Sequence, residues 1–323
     1  MMEKKVSILI PVYNRVSFIE DTIDSCLNQT YPNIEIVVVD NFSTDGTWEL
    51  IKLKYHCEDR VKLYRNEKNI GPVLNWEKCI NYATGDYGKI LWSDDLISND
   101  FLEKTVPLLS SSVEIGFVIT GFQIFNEHSK HNHYYYFPNG KASSECYIND
   151  MLIGNNTLPV SPGCALFRLT DLKNNLVIDI PNRLGIHFSM HAIGNDLLLF
   201  FLTANKYHYF AIYNEPLAFF RSHKDSITIS TNIEIITTYY IITKAYYVEN
   251  YRPVLTKKFN SIIFLHLLRF RRRQLIAKSI EDYYMKNTNY GIDILFIIKK
   301  ILSKVTVKKY PKYFSNFRKY QKD

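Results

Sequence analysis

The strongest constraint on the fold is an alternation of apolar strand segments with amphipathic helix segments up to residue 92. The segments at 6–12, 34–39 and 87–92 are largely apolar, which is typical of strands that are covered on both faces. A shorter strand is expected at 61–64. The segments between the strands carry apolar residues at helical spacing, as in Phe18, Ile19, Ile23, Cys26 and Leu27. The order β-α-β-α-β-α-β predicts a parallel sheet with right-handed crossovers.

Local signals indicate where the first two helices begin. Ser17 and Glu20 have the spacing of a capping box, which predicts the start of the first helix. Ser43 or Thr44 is expected to cap the second helix. Asp45 is then expected in the first turn of that helix, where a negative charge complements the helix dipole.

Polar side chains follow three of the strand segments at the point where each strand ends. They are Pro11, Tyr13 and Arg15 after the first strand, Asp40 and Asn41 after the second, and Asp94 and Asp95 after the fourth. Pro11 lacks a backbone N–H and is expected to end the ladder of the first strand. Ligands of parallel sheets bind beyond the carboxyl ends of the strands. The sequence therefore predicts one crevice into which all three clusters converge.

Asp94 and Asp95 are two adjacent carboxylates at the end of a buried strand. They repel each other, and burying either of them without a partner is costly. A hard divalent cation resolves this conflict, because Mg²⁺ or Mn²⁺ favours carboxylate oxygens and leaves positions open for phosphate oxygens. The alternative at this stage is a solvated Asp-Asp turn.

The rest of the chain divides into an α/β part and a helical part. The α/β part is expected to continue with a helix at 99–109, a strand at 116–120, a loop or hairpin at 123–156 and a strand at 207–213. Gly194, Asn195 and Asp196 open an apolar helix. From about residue 232 the pattern is helical and includes a helix predicted at 276–284. We therefore predict two regions, residues 1–228 and a helical, basic region at 229–323.

The positive charge of the chain is concentrated at its end. Of the formal net charge of +7, the segment from Lys299 to Asp323 supplies +8, with nine basic residues and one acidic residue. This segment is expected to bind an anionic membrane surface. Five scattered cysteines suggest free thiols in a reducing compartment. The N-terminus is expected to be a strand and not a signal peptide, and no stretch is long and apolar enough to predict a membrane span.

Several motifs occur together along the chain in a defined order and spacing. The principal ones are Val6–Arg15, Asp40–Thr47 and Ser93–Asp95, and the supporting ones are Ser25–Pro32, Asn69–Gly71, Ala83–Tyr87, and Arg221–His223 with Ser226. In this order and spacing, over about residues 5–228, the chain resembles the family-2 glycosyltransferases. The resemblance implies an α/β GT-A fold, Rossmann-like, with a mostly parallel central sheet flanked by helices and a helical C-terminal extension. It also implies transfer of a sugar from a nucleotide-sugar with inversion.

The resemblance also implies roles for individual residues. Asp95 and Asp94 are expected to bind Mn²⁺ or Mg²⁺. The nucleotide is expected to be bound by Pro11, Tyr13, Arg15, Asp40, Asp94, Arg221 and His223. Many members carry a further acid at the position of Trp92. Asp196 resembles the general base, and Asn195 stands where the family usually has the first acid of that pair. The plain alternatives are a packing role for Tyr13, a capping role for Asp40 or Asp196, and surface positions for Arg221 and His223.

The implied partners are a nucleotide-sugar donor and a saccharide acceptor linked to a lipid, with no nucleic acid. By analogy we expect a role in O-antigen, lipopolysaccharide or capsule biosynthesis, in the cytoplasm at the inner face of the cytoplasmic membrane. The resemblance does not indicate whether the donor is a UDP, GDP, dTDP or CDP sugar. A dehydrogenase would need G-x-G-x-x-G after the first strand, which the sequence lacks. A sugar nucleotidyltransferase and a non-catalytic scaffold at the membrane surface are the remaining alternatives.

Overall fold

The N-terminal part of the chain forms four parallel strands joined by three helices. The computed structural model describes residues 3–135, 138–224, 226, 231–271, 273, 275–286 and 289–306. The elements up to residue 90 are β1 (Val6–Val12), α1 (Ile19–Leu27), β2 (Ile34–Asp40), α2 (Thr47–Tyr55), β3 (Val61–Arg65), α3 (Pro72–Tyr82) and β4 (Tyr87–Ile90). The strands lie in the order β3-β2-β1-β4 and all pair in parallel. The predicted parallel sheet is confirmed.

The sheet continues with strands of mixed direction. The elements from residue 96 to 221 are β5 (Leu96–Ile97), α4 (Phe101–Ser110), β6 (Ile115–Phe125), β7 (Lys130–His133), β8 (Gly140–Ser143), α5 (Ser144–Leu152), β9 (Ala165–Arg168), α6 (Leu169–Asn175), α7 (Asn195–Lys206) and β10 (Tyr209–Arg221). The full order is β3-β2-β1-β4-β9-β6-β10-β5, with β7 beside β6 and β8 beside β10. Strand β9 is antiparallel to both of its neighbours. The predicted α/β class is therefore confirmed.

Two hydrophobic clusters cover the two faces of this sheet. Alternate residues of β1 point into different clusters, Ile8 and Ile10 into one and Leu9 into the other. The first cluster includes residues of α1, α2 and α4, and the second includes residues of α3 and α5–α7. This explains why β1 and β2 are apolar in sequence without alternation.

The predicted helix starts are wrong. Helix α1 follows Phe18 with no side-chain cap, and the carbonyl of Arg15 accepts the N–H groups of Phe18 and Ile19 instead. Helix α2 follows Gly46 in a left-handed conformation, with φ of 93°, so neither Ser43 nor Thr44 caps it. The carbonyl of Arg15 thus takes the place of the predicted cap of α1, and at the start of α2 the side chain of Asp45 accepts the N–H of Thr47.

Several strand and loop boundaries also differ from the prediction. Strand β1 continues past Pro11 and pairs with β2 as far as Val12; only its ladder with β4 stops early, at Leu9. Strand β10 runs through Pro216, because its register with β6 shifts on either side of that residue. The stretch at 123–156 contains the expected hairpin, formed by β6 and β7, but also the unpredicted helix α5.

The C-terminal region packs onto the sheet domain. Its helices are α8 (Ile233–Tyr251), α9 (Thr256–Arg269) and α10 (Ile294–Thr306). The helix predicted at 276–284 is wrong, because the chain there forms only one short 3-10 turn at Glu281–Tyr283. Helix α8 packs against α7 inside the second hydrophobic cluster. The division at residue 228 stays a prediction, and the basic tail beyond residue 306 lies outside the described residues.

Gly88 lets helix α6 approach strand β4, because a Cβ at this position would clash with Cδ1 of Leu172. We expect Gly88→Ala to lower the free energy of unfolding by about 1–3 kcal/mol through overpacking. In a Leu172→Ala background the same change should cost almost nothing, because the clashing methyl group is gone. Urea unfolding of the four variants gives the coupling energy. Equal costs in both backgrounds would contradict the close-approach explanation.

Candidate active site

A cavity of about 490 Å³ opens at the carboxyl ends of β1 and β4. Seven of the predicted site residues line it, namely Pro11, Tyr13, Arg15, Asp94, Asp95, Asp196 and Arg221. They come from distant parts of the chain and meet because the parallel strands end at one edge. Two predicted residues, Asp40 and His223, do not line the cavity: Asp40 is fully buried, and His223 is mostly buried against Asp94.

Asp94 is held by two basic side chains. Its Oδ2 accepts a hydrogen bond from Nε of Arg15 at 3.2 Å and lies 2.9 Å from Nε2 of His223. Burial acts to raise the pKa of Asp94, but the hydrogen bond with His223 and the charge of Arg15 outweigh it. The pKa therefore lies below its ordinary value, and Asp94 carries a negative charge at neutral pH.

Asp95 has the opposite electrostatic environment. The residue is 5% exposed, and its Oδ1 accepts a hydrogen bond from the backbone N–H of Arg221 at 2.8 Å. Burial and, after it, the charge of Asp94 hold the pKa of Asp95 well above its ordinary value. The protein by itself thus favours one negative charge on this pair rather than two.

The remaining oxygens of the pair fit a divalent cation. Asp94 Oδ1 and Asp95 Oδ2 accept no hydrogen bond from any other described residue. Within the described ranges no third His, Cys, Asp or Glu joins them to form a metal cluster. Mg²⁺ and similar ions are often held by one or two carboxylates, with phosphate oxygens and water as the other ligands. The two aspartates therefore match a cation that arrives with a phosphorylated ligand.

A buried lysine below the pair was not singled out from the sequence. Lys89 in β4 is fully buried and donates hydrogen bonds to the carbonyls of Ile90, at 2.9 Å, and Gly163. Burial lowers its pKa to about 8. Its positive charge acts to lower the pKa of Asp95, against the effect of burial. The sequence signal was a single lysine inside an otherwise apolar strand.

Arg221 and His223 are fixed at the end of β10. Arg221 Nε donates to the carbonyl of Asp94 at 3.0 Å, and its guanidinium also pairs with Asp21 at 2.9 Å. The ring of Phe18 lies 5.0 Å below the Arg221 guanidinium and 4.7 Å from the His223 ring. Phe18 thus supports both basic residues, a role that its helical spacing did not predict.

Asp40 lies fully buried beneath the floor of the cavity. Its Oδ2 accepts a hydrogen bond from the backbone N–H of Ser43 and pairs with Nε of Arg65 at 3.2 Å. Its Oδ1 is buried and has no hydrogen-bond partner among the described residues. Tyr13, by contrast, is 41% exposed at the rim. The second helix begins at Thr47, so Asp40 does not cap it.

Asp196 lies on the other side of the cavity, in the first turn of α7. Its Oδ1 accepts hydrogen bonds from the N–H groups of Gly194 and Leu197, and its Oδ2 accepts one from the hydroxyl of Tyr240 at 2.6 Å. Burial raises the pKa of Asp196 to about 6, although these hydrogen bonds oppose the shift. Tyr240 belongs to α8, and only its helical spacing was visible in the sequence.

Asn195 has a structural role next to Asp196. It is fully buried, and its amide donates to the carbonyls of Val177 and Ile178. The side chain therefore ties the start of α7 to the preceding loop. A carboxylate at position 195 could not donate these two hydrogen bonds.

Comparisons of sequence with known proteins match about half of this chain or less. The sequence model of the protein family described as glycosyl transferase family 2 matches residues 7–176 of this chain. A putative teichuronic acid biosynthesis glycosyltransferase, TuaG of Bacillus subtilis, is 34% identical over 119 residues, which are 37% of this chain and 47% of the relative. Abequosyltransferase RfbV of Salmonella typhimurium is 38% identical over 113 residues, 34% of each chain. The chain thus spans less than half of the length of these relatives.

Solved structures of low sequence identity share the fold. TarS residues 1–349 of S. aureus, in complex with UDP-GlcNAc, gives a TM-score of 0.62 at 17% identity over 83% of this chain and 74% of that chain. The mannosyltransferase PcManGT of Pyrobaculum calidifontis, with GDP-Man and Mn²⁺, gives 0.51 at 14% identity over 98% of this chain and 85% of that chain. These similarities concern the fold alone.

The raised pKa of Asp196 predicts a pH-dependent effect of Asp196→Asn on stability. The folded pKa of about 6 exceeds the ordinary value of 3.8, so the folded state loses stability as pH rises between these values. Asn removes this loss and can keep the hydrogen bonds to Gly194 and Leu197. From pH 4 to pH 7 we expect the unfolding free energy of the variant to gain about 2–3 kcal/mol relative to wild type.

Asp45→Asn provides a control with the opposite sign. The pKa of Asp45 is lowered, because hydrogen bonds from Thr47 and Val16 outweigh its partial burial. Its carboxylate therefore stabilises the fold above the unfolded pKa, and the stabilisation is lost as pH falls through the folded pKa. Asp45→Asn should lose stability relative to wild type at pH 7. Urea unfolding at several pH values measures both variants, and a pH-independent difference for Asp196→Asn would contradict the assigned pKa.

Proposed function

Because the chain belongs to glycosyl transferase family 2, we propose that it transfers a hexosyl or deoxyhexosyl group from a nucleoside-diphosphate sugar to a hydroxyl of a saccharide acceptor, with inversion. One observation carries this proposal. A single cavity holds an Asp pair suited to a cation on one side and a buried carboxylate of raised pKa on the other. These are the groups that a single displacement at an anomeric carbon needs.

The nucleotide would lie along the ends of β1 and β2. Tyr13 at the rim can stack on the base, and Arg15 and Arg221 supply positive charge for the diphosphate. Asp40 stays a proposed nucleoside ligand through Oδ1, which has no hydrogen-bond partner among the described residues, but in this structure the residue is fully buried and does not line the cavity, so nucleoside contact would require the side chain to become accessible. His223 contributes through Asp94, which it holds in place.

Asp94 and Asp95 would hold Mn²⁺ or Mg²⁺ through their remaining oxygens. When bound, the cation supplies positive charge that neutralises the diphosphate leaving group. PcManGT was solved in complex with both GDP-Man and Mn²⁺, which supports this choice of ion. The raised pKa of Asp95 means that such binding would release a proton at neutral pH.

Asp196 would act as the general base. The acceptor hydroxyl oxygen forms a bond to the anomeric carbon as the bond to the diphosphate oxygen breaks on the opposite face. The acceptor proton passes to Asp196 Oδ2, and the nucleoside diphosphate leaves with the electron pair. A pKa of about 6 suits this role better than that of an ordinary carboxylate. Tyr240 orients the carboxylate and stabilises it once it is ionised.

The biological setting that we propose is bacterial surface-polysaccharide assembly on a lipid-linked acceptor, as in O-antigen, lipopolysaccharide or capsule. The names of TuaG and RfbV support it. In the described part of the chain, no helix is both long and apolar enough to cross a membrane. Helix α10, however, presents an apolar face made of Ile294, Leu295, Ile298 and Ile301, each about half exposed or more. We propose that this face and the basic tail bind the anionic inner surface of the cytoplasmic membrane.

Nucleotide binding and turnover test the proposed enzyme. By calorimetry, at least one of UDP, GDP, dTDP and CDP should bind with Mn²⁺ and bind far more weakly in EDTA. Asp95→Asn should lose the Mn²⁺-dependent part of this affinity. Asp196→Asn should keep it, while its rate of donor hydrolysis or transfer falls by about 10²–10⁴-fold.

Each result can also fail in a distinct way. Equal nucleotide affinity in EDTA would remove the cation from the proposal, and a near-normal rate with Asn at position 196 would place the base elsewhere. Release of pyrophosphate instead of a nucleoside diphosphate would favour the nucleotidyltransferase alternative.

The membrane proposal predicts that the full chain sediments with phosphatidylglycerol vesicles at low ionic strength and is released by high salt. Leu295→Asp with Ile298→Asp should weaken this binding, because both side chains would have to enter the interface. Val254→Asp is the matched control, since Val254 is 88% exposed but lies outside α10. Equal sedimentation of all three proteins would contradict a membrane role of the helix.

A further inference from the structure

One serine hydroxyl in the lining of the cavity is held in a fixed orientation. Ser161 lines the cavity and directly precedes a short 3-10 turn at Pro162–Cys164. Its Oγ accepts a hydrogen bond from Nε1 of Trp92 at 3.1 Å and another from the backbone N–H of Gly163 at 3.2 Å. Because a hydroxyl oxygen has two acceptor positions, both positions of Ser161 are occupied.

The hydroxyl proton is the hydrogen-bonding group that Ser161 has left. No acceptor among the described residues takes this proton. Ser161 therefore offers the cavity one directed hydrogen-bond donor and no acceptor. Ser93 differs from it, because the hydroxyl of Ser93 is bonded to no other residue in the described ranges and can both donate and accept.

Two contacts place Ser161 near the aspartate pair. Its partner Trp92 lies two residues before Asp94 in the chain. The turn that follows Ser161 is bound to the same strand, since the carbonyl of Gly163 accepts a hydrogen bond from Lys89 in β4. The charge of Lys89 in turn acts on the pair. Ser161 thus belongs to the end of the cavity where the cation and the diphosphate are proposed to bind.

The sugar of the donor is the substrate group that lies next to this end. Under the proposed function, on which this inference rests, the sugar extends from the diphosphate toward Asp196. Its hydroxyl groups lose water in the cavity and need new partners, and a directed donor favours an oxygen over a C–H group at the position that it meets. We propose that Ser161 is a specificity-determining residue that donates a hydrogen bond to one substituent oxygen of the transferred sugar.

Substituted donors test the direction of this hydrogen bond. The parent is the tightest-binding of UDP-glucose, UDP-GlcNAc, GDP-mannose, dTDP-rhamnose and CDP-glucose, and its analogues carry hydrogen or fluorine in place of one sugar hydroxyl at a time. Fluorine can accept a hydrogen bond but cannot donate one. Calorimetry with Mn²⁺ on the full-length wild type should find one position where the deoxy analogue binds about 5-fold to about 100-fold more weakly than the parent. The fluoro analogue at that position should bind more tightly than the deoxy analogue.

The series has two contrary outcomes. If no fluoro analogue binds more tightly than its deoxy counterpart, the inference is overturned while the proposed function stays intact. Failure of all four nucleoside diphosphates to bind would overturn both.

Serine variants test whether Ser161 is the donor. Ser161→Ala should remove most of the difference between parent and deoxy analogue at that position, while the affinity for the nucleoside diphosphate alone stays as in wild type. Ser143→Ala is the matched control, because Ser143 also accepts a backbone N–H at a helix start, from Glu145 at 3.2 Å, but does not line the cavity. It should keep the wild-type pattern.

A second variant covers the case in which Ser161→Ala does not fold, as judged by circular dichroism. Ser161→Cys keeps the shape of the side chain but carries a weak donor, so the difference between parent and deoxy analogue should shrink several-fold. An unchanged difference in the folded variant would overturn the assignment of Ser161.

Discussion

The repulsion between Asp94 and Asp95 is the constraint around which the site is built. Two adjacent carboxylates at the end of a buried strand cannot both keep their charge without compensation. The protein compensates the two carboxylates unevenly. Asp94 is bound by Arg15 and His223, whereas Asp95 accepts a hydrogen bond from a backbone N–H and is affected by the more distant positive charge of Lys89. The result is a pair in which Asp94 carries a firm negative charge, whereas burial and the charge of Asp94 oppose the ionisation of Asp95. Most of the site residues predicted from the sequence belong to this pair or contact it directly.

The fold and much of the site could be predicted because both follow from short-range patterns. Strands that are apolar on both faces are typical of a covered, parallel sheet, and parallel strands bring their polar ends to one edge. That reasoning was sufficient to bring Tyr13, Arg15, Asp94 and Asp95 into one cavity. The predicted helix caps failed because the same polar residues can serve loops instead: Oγ of Ser43 accepts the N–H of Asn14 and so joins the loop after β2 to the loop after β1.

What could not be predicted depends on contacts between distant parts of the chain. The pKa of Asp196 is set by its burial and by Tyr240, 44 residues later in the sequence. Periodicity shows that residue 240 lies in a helix but not which loop the helix faces. The cavity lining is a further case, because Trp76, Trp92, Val160 and Ile193 come from four separate segments. Their common surface exists only once β4, α3 and the loops before β9 and α7 are in place.

The contact between Tyr240 and Asp196 also bears on how such enzymes can diversify. Helix α8 lies beyond the 7–176 segment that the family model matches, yet it completes the surroundings of the proposed base. An exchange of C-terminal helices between two such proteins would therefore also change the proton affinity of the proposed base. Under the proposed function, the surface that meets the membrane and the group that takes the acceptor proton would have to be inherited together, as one unit.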